Sequence, residues 1–136
     1  MILVDTNVLL DLVTDDPVWA NWSQAQLEAA ALNDDLSINA VVYAECSVGF
    51  QRIEQVDAIL AATGLRLEPI PTAALFLAGK TFQRYRKSAG KRTGVLPDFF
   101  IGAHAAVAKA PLLTRDPERI RTYFPTVQLL TPEEQV

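Results

Sequence analysis

The stretch ILVDTNVLLDLV, residues 2–13, changes its period at a single residue. Ile2, Leu3 and Val4 form an unbroken apolar run, the pattern of a strand buried on both faces, whereas Val8, Leu9, Leu12 and Val13 recur at helical spacing. Asp5 stands at the joint. In an open parallel α/β sheet the working crevice lies beyond the carboxyl ends of the strands, so this acid is expected to face it. The same position also lets Asp5 cap the helix that follows.

The alternation continues along the chain. Asp16 and Pro17 suit the cap and first turn of a second helix that runs to the Asn33-Asp34 break. LSIN (36–39) reads as a strand, residues 40–52 as an apolar helix, and a short helix is expected from about Glu54 to a stop at Gly64. LRLEPI (65–70) alternates like a third strand, and a longer helix from Thr72 to about Ala89 carries Leu75, Phe76, Phe82 and Tyr85 in its pattern. GKRTG (90–94) reads as a loop. LPDFFIGAHAAVAKA (96–110) is apolar on nearly every side, which requires burial. PLLT (111–114) and VQLL (127–130) flank a last helix, PERIRTYF (117–124). Strands separated by helices predict an α/β fold with a parallel sheet covered on both faces. No linker, repeat or low-complexity tract divides the 136 residues, so one domain, 1–136, is expected.

Half the residues are apolar, but the longest apolar stretches fall short of the roughly 18–20 residues that span a bilayer. No basic n-region with a small-residue cleavage site opens the chain, and Cys46 is its only cysteine, so a cytoplasmic protein without an internal disulfide is expected. The net charge of −4 argues against wholesale nucleic-acid binding. It conceals an asymmetry: residues 69–97 hold no acid, yet Lys80, Arg84, Arg86, Lys87, Lys91 and Arg92 fall there, either as a solvated face or as a patch for a polyanion.

Four acids repay attention. Asp116 resembles Asp5, lying just past a strand and before Pro117, where it can cap a helix or face the crevice. Glu45 has Val41, Val42, Val48 and Gly49 at helical spacing, an apolar face on which a carboxylate needs a partner; Arg52 is a structural candidate. Asp98 follows Pro97 at the head of the apolar helix, where the dipole favours an anion. Caps and salt bridges account for each singly; together the four point to one site. Converging carboxylates repel unless a cation joins them, and Mg²⁺ or Mn²⁺ suits an all-oxygen donor set. Zinc is disfavoured, because His104 and Cys46 form no ligand pair at zinc spacing.

On ILVDTNVLLDL, INAVVYAECSVGF, LPDFFIGAHA and LLTRDPERI, the chain resembles the PIN-domain nucleases, and among them the VapC-type toxins of toxin–antitoxin pairs. The resemblance implies a three-layer α/β/α sandwich with a central parallel sheet. It places the family's acids at Asp5, Glu45, Asp98 and Asp116, as metal ligands and catalytic residues, with Asn7 and Thr114 supporting them. It further implies a metal-dependent endoribonuclease acting on RNA, restrained by an antitoxin protein and often dimeric. Lys80, Arg84, Lys87, Lys91, Arg92 and Arg115 are then candidates to hold the RNA backbone.

His104 reads as a hydrogen-bonded core histidine and Cys46 as a small buried thiol, while Trp19 and Trp22 share a helical face for packing or for a partner. No phosphate-binding glycine motif is present. A haloacid dehalogenase-like phosphatase would need a second Asp where Asn7 stands, and a phosphoacceptor receiver would need an acidic pair beside the first strand. A PIN-like binding domain without activity is the third alternative.

Overall fold

The computed structural model of the chain describes residues 1–88 and 95–132. Among them, five short strands form one parallel sheet in the order β3-β2-β1-β4-β5, namely β1 Ile2–Val4, β2 Leu36–Ile38, β3 Arg66–Leu67, β4 Leu112–Leu113 and β5 Leu129–Leu130. Register follows from pairs such as Leu3 with Ser37 and Leu112, and Leu113 with Leu130. The central strands are buried on both faces, which explains why β1 and β4 read as continuous apolar runs without alternation, and β2 carries its Ser37 buried.

The helices are α1 Thr6–Val13, α2 Ala20–Ala31, α3 Ala40–Ser47, α4 Ile53–Thr63, α5 Thr72–Ser88, α6 Leu96–Ala108 and α7 Glu118–Tyr123. From β1 the chain winds outward through β2 to β3, then returns to β4 beside β1 and winds the other way to β5. Right-handed crossovers in the two directions put α1–α4 on one face and α5–α7 on the other, in agreement with contacts that join α1 to α2 and α3, and α6 to α5 and α7. The three-layer α/β/α sandwich expected from the sequence is therefore present. The reversal leaves a crevice between the carboxyl ends of β1 and β4, and these are the strands that deliver Asp5 and Thr114.

Phe99 is fully buried at the hub of an aromatic cluster, with ring centroids 5.9 Å from Phe82, 5.5 Å from Tyr85, 5.2 Å from Tyr123 and 6.1 Å from Phe124. It anchors the first turn of α6, and with it the neighbouring Asp98. His104 is buried as expected. Asn39 Oδ1 accepts the N–H groups of Val41 and Val42, so its amide nitrogen donates to His104 Nδ1 at 3.2 Å. Burial pushes the His104 pKa below its ordinary value. Cys46 is buried, and the same desolvation raises its thiol to about 11, which leaves it unreactive.

Several expected boundaries shift. Regular α2 starts at Ala20, not Pro17, because Asp16 Oδ1 accepts from the N–H groups of Val18 (2.8 Å) and Trp19 (2.9 Å) and closes a separate turn first. α3 stops at Ser47, well short of Arg52; Val48 is 87% exposed, so no burial supports another turn. On α5 the buried edge is Ala74, Ala78 and Thr81, whereas Leu75 and Phe76 face solvent. Gly64 terminates α4 in the left-handed conformation expected of it, at φ +72°. The loop predicted at 90–94 lies outside the described residues. Among the described residues no helix is long and apolar enough to cross a membrane.

Candidate active site

Asp5 leaves the sheet still tied to it, since its N–H donates to Leu113 O at 2.9 Å. Its side chain does both things the sequence allowed. Oδ1 caps α1 by accepting from Thr6 N–H at 2.7 Å, and Oδ2 accepts from the Thr114 hydroxyl at 2.8 Å and the Asn7 amide at 3.4 Å. The Thr114 oxygen also accepts from Asn7 Nδ2 (3.3 Å) and Asp116 N–H (3.1 Å), which leaves its proton directed at Asp5. Asn7 in turn accepts from the Arg115 N–H through Oδ1 at 3.4 Å. Asn7 and Thr114 both donate to the same Asp5 oxygen.

Among the described residues every donor to Asp5 is neutral. The residue is 8% exposed, and its pKa is raised from 3.8 to about 7, chiefly by burial, with the charges of Asp98 and Glu45 adding to it against the Thr114 and Thr6 hydrogen bonds. A folded carboxyl that holds its proton up to about pH 7, against 3.8 unfolded, binds more protons in the folded state across that window. Metal-free stability should therefore fall as pH rises from about 4 to about 7 and level off above, by roughly a few kcal/mol. In urea titrations without divalent ions, the wild type should lose midpoint relative to Asp5→Asn across that range; parallel curves would contradict the assignment.

The other three acids reach the same place from separate elements. Glu45 Oε1 on α3 accepts from Thr6 Oγ1 at 2.7 Å. Arg52 is not its partner: the end of α3 at Ser47 carries Arg52 away, and its Nε lies 3.8 Å from Glu54 at the surface. Asp98, in the first turn of α6, forms an ion pair with Arg119 of α7. Asp116 does not cap α7, whose N-cap is Pro117; its side chain is 76% exposed, 3.7 Å from the Arg115 guanidinium. Asp5, Glu45, Asp98 and Asp116, together with Asn7, line one cavity of about 550 Å³ at the crevice.

The donor set fits a hard divalent cation. It is all oxygen, comes from four elements, and centres on a buried carboxyl whose donors among the described residues are neutral. Among the described residues no three acids already stand at metal-ligating spacing, since Glu45 is turned to Thr6 and Asp98 to Arg119.

Four residues of the site were not singled out from sequence. Thr6 orients Glu45, while Glu118 and Arg119 line the cavity. Asp11 is 2% exposed, receives Arg115 Nε on both oxygens (2.9 and 3.2 Å), and accepts from Ser23 Oγ at 2.8 Å. An acid among apolar residues four positions after Asn7, on its helical face, was a signal that could have found Asp11. Arg115 also covers the Trp19 ring at 5.4 Å, and Trp19 meets Trp22 edge to face at 6.0 Å.

The expected basic patch is only partly at the cavity. Arg115 lines it, but Lys80, Arg84 and Lys87 do not, because the buried edge of α5 turns its cations to solvent. Lys80 lies 5.5 Å from the Phe76 ring, and Arg84 donates to Thr81 Oγ1 at 3.3 Å. Lys91 and Arg92 lie outside the described residues.

Comparison with known proteins places this geometry. No curated protein matches the sequence. Solved structures similar to the chain include VapBC2 from Rickettsia felis bound to a promoter DNA fragment (TM-score 0.73, 21% identity, covering 96% of this chain and 98% of that one). A toxin–antitoxin complex from Klebsiella pneumoniae follows (0.70, 23%, 97% and 98%), as does FitAcB from Neisseria gonorrhoeae (0.65, 23%, 98% and 99%). At these identities the likeness speaks for the fold. The family model of the PIN domain matches residues 2–125, from β1 past the end of α7 and across Asp5, Glu45, Asp98 and Asp116. The chain belongs to the PIN-domain family.

Proposed function

We propose that the protein is a Mg²⁺- or Mn²⁺-dependent endoribonuclease of the VapC type, the toxin of a toxin–antitoxin pair. One observation carries the reading: Asp5, Glu45, Asp98 and Asp116, brought from the ends of β1 and β4 and from α3 and α6, line one cavity at the sheet's switch point. These four would hold the metal. A divalent ion there supplies Lewis-acid activation of water and charge compensation at a phosphodiester.

The chain's own residues prepare the site. The Thr114 hydroxyl and Thr6 N–H hold the two oxygens of Asp5 in one orientation, and the Thr6 hydroxyl directs Glu45 toward the same crevice. Asn7 joins the α1 side to the β4 side through Asp5, Thr114 and Arg115. An amide in that network cannot act as the general acid of a haloacid dehalogenase-like phosphatase, which favours the nuclease. Arg115, anchored on Asp11, offers positive charge at the cavity wall for an RNA backbone that the cavity's carboxylates otherwise repel. Lys80, Arg84 and Lys87 extend the basic surface away from the cavity, for RNA beyond the cut.

The Klebsiella pneumoniae structure is a toxin–antitoxin complex. By likeness of fold we assign this chain a cognate antitoxin; a homodimeric state rests on the family resemblance and a place in the cytoplasm on the single cysteine of the sequence. The reading is tested by incubating the purified chain with total RNA and mapping the ends. Internal cuts that require Mg²⁺ or Mn²⁺ and vanish in EDTA are expected. Undiminished cutting in EDTA would overturn the metal mechanism; release of inorganic phosphate from monoesters, with RNA left whole, would favour the phosphatase.

A further inference from the structure

Among the described residues two arginines line the cavity, and they are held differently. Arg115 is tethered: its Nε binds both oxygens of Asp11, Asp11 is buried and bound again by Ser23, and the guanidinium covers Trp19. Arg119, near the start of α7, reaches across to α6, and Asp98 is its ion-pair partner among the described residues. The two side chains of that pair are 30% and 40% exposed, so water and ions have access to both.

We propose that Arg119 is the resident counter-cation of Asp98 and exchanges with the divalent ion, leaving the carboxylate as metal enters and remaining on the cavity wall to meet the substrate phosphate. This rests on the metal-dependent reading above. The reason is competition for Asp98 Oδ2, which Arg119 Nη1 engages, together with the repulsion between a guanidinium held there and an entering dication. A carboxylate oxygen engaged by a guanidinium in a charge-assisted hydrogen bond is not free to ligate a hard cation. Without an ion, Arg119 offsets part of the charge of an anion that bears on Asp5; with one, that task passes to the ion and the arginine is redundant there. A released guanidinium is also the better group for the substrate, because its planar fork matches a phosphate as well as it matches a carboxylate. Arg115 cannot make the exchange without abandoning Asp11, a buried acid that would be left unpaired.

The test is Mn²⁺ binding to the full chain, without RNA, by calorimetry. Arg119→Gln should bind Mn²⁺ about fivefold to tenfold more tightly than wild type, the scale of a half-exposed charge-assisted pair. Arg119→Lys, which keeps the charge, should stay nearer wild type, and Arg86→Gln, which removes an exposed charge on α5, should change nothing. In the wild type, the Arg119 Nε–H resonance should move during a Mg²⁺ titration with the midpoint of metal binding. Equal affinity in wild type and Arg119→Gln, or an Arg119 resonance that ignores Mg²⁺, overturns the exchange and leaves the metal site standing. Absence of Mn²⁺ binding in both proteins overturns the metal site itself, and the exchange with it.

Discussion

Asp5→Asn is expected to lower metal-dependent RNA cleavage roughly a thousandfold, about 4 kcal/mol of barrier, while the chain stays folded. The size follows from where the residue sits. Asp5 is 8% exposed and neighboured by neutral donors, so its charge is the one least replaceable by solvent. An amide keeps one oxygen for the Thr114 hydroxyl but removes the negative charge that draws a cation to the centre of the cavity. The same variant should lose the rise in melting temperature that Mn²⁺ gives the wild type. Asp98→Asn should approach this loss. Asp116→Asn should cost less, because a side chain 76% exposed is readily replaced by water as a ligand. Single-turnover cleavage of end-labelled RNA, with circular dichroism to verify folding, measures the series. Asp5→Asn activity within threefold of wild type would remove Asp5 from the mechanism.

The largest effect on stability is expected at Gly102. A Cβ added there would sit 2.4 Å from Phe124 Cδ2, 2.7 Å from Cε2 and 3.0 Å from Ile120 Cδ1. Neither neighbour has room to yield: both are buried, and the Phe124 ring packs edge-to-face on Phe99. Gly102→Ala should therefore force α7 away from α6. Overpacking of this kind costs about 1–3 kcal/mol or more, against a gain of up to about 1 kcal/mol in helix propensity. A net loss of about 2 kcal/mol corresponds to roughly 8 °C in melting temperature. Gly79, on the exposed side of α5, has nothing within 4 Å of the same added atom, so Gly79→Ala should stabilise by a few tenths to about 1 kcal/mol. Similar melting shifts for the two variants would contradict the packing described for α6. Because α7 carries Arg119 and α6 carries Asp98, Gly102→Ala should also weaken the ion pair between them.

Gly102 illustrates what sequence does not convey. In LPDFFIGAHAAVAKA it reads as one small residue on a helix whose every side is apolar. That this side receives Phe124 depends on the docking of α7, which no periodicity within α6 encodes. Glu45 is a second case. Of the apolar helical neighbours that marked it as needing a partner, Val48 and Gly49 lie exposed beyond the helix, and the choice of Arg52 assumed that α3 continues, whereas the helix ends at Ser47 and the partner is Thr6 on α1. The basic run is a third. Its charges were evident in sequence, but whether they face the cavity was decided by Ala74, Ala78 and Thr81, the side of α5 that packs.

Sequence by itself determined the alternation of strands and helices, the burial of α6, and the place of Asp5 beyond β1. These are consequences of hydrophobic period, and a period is complete within about eight residues because it records only which face of an element meets the core. Only the tertiary structure decided the pairings: Thr6 with Glu45 across 39 residues, Arg119 with Asp98 across 21, Arg115 with Asp11 across 104, and Thr114 with Asp5 across 109. A polar group takes whichever partner the docked elements bring within about 3 Å, and that proximity is a property of the assembled layers, written in no single segment.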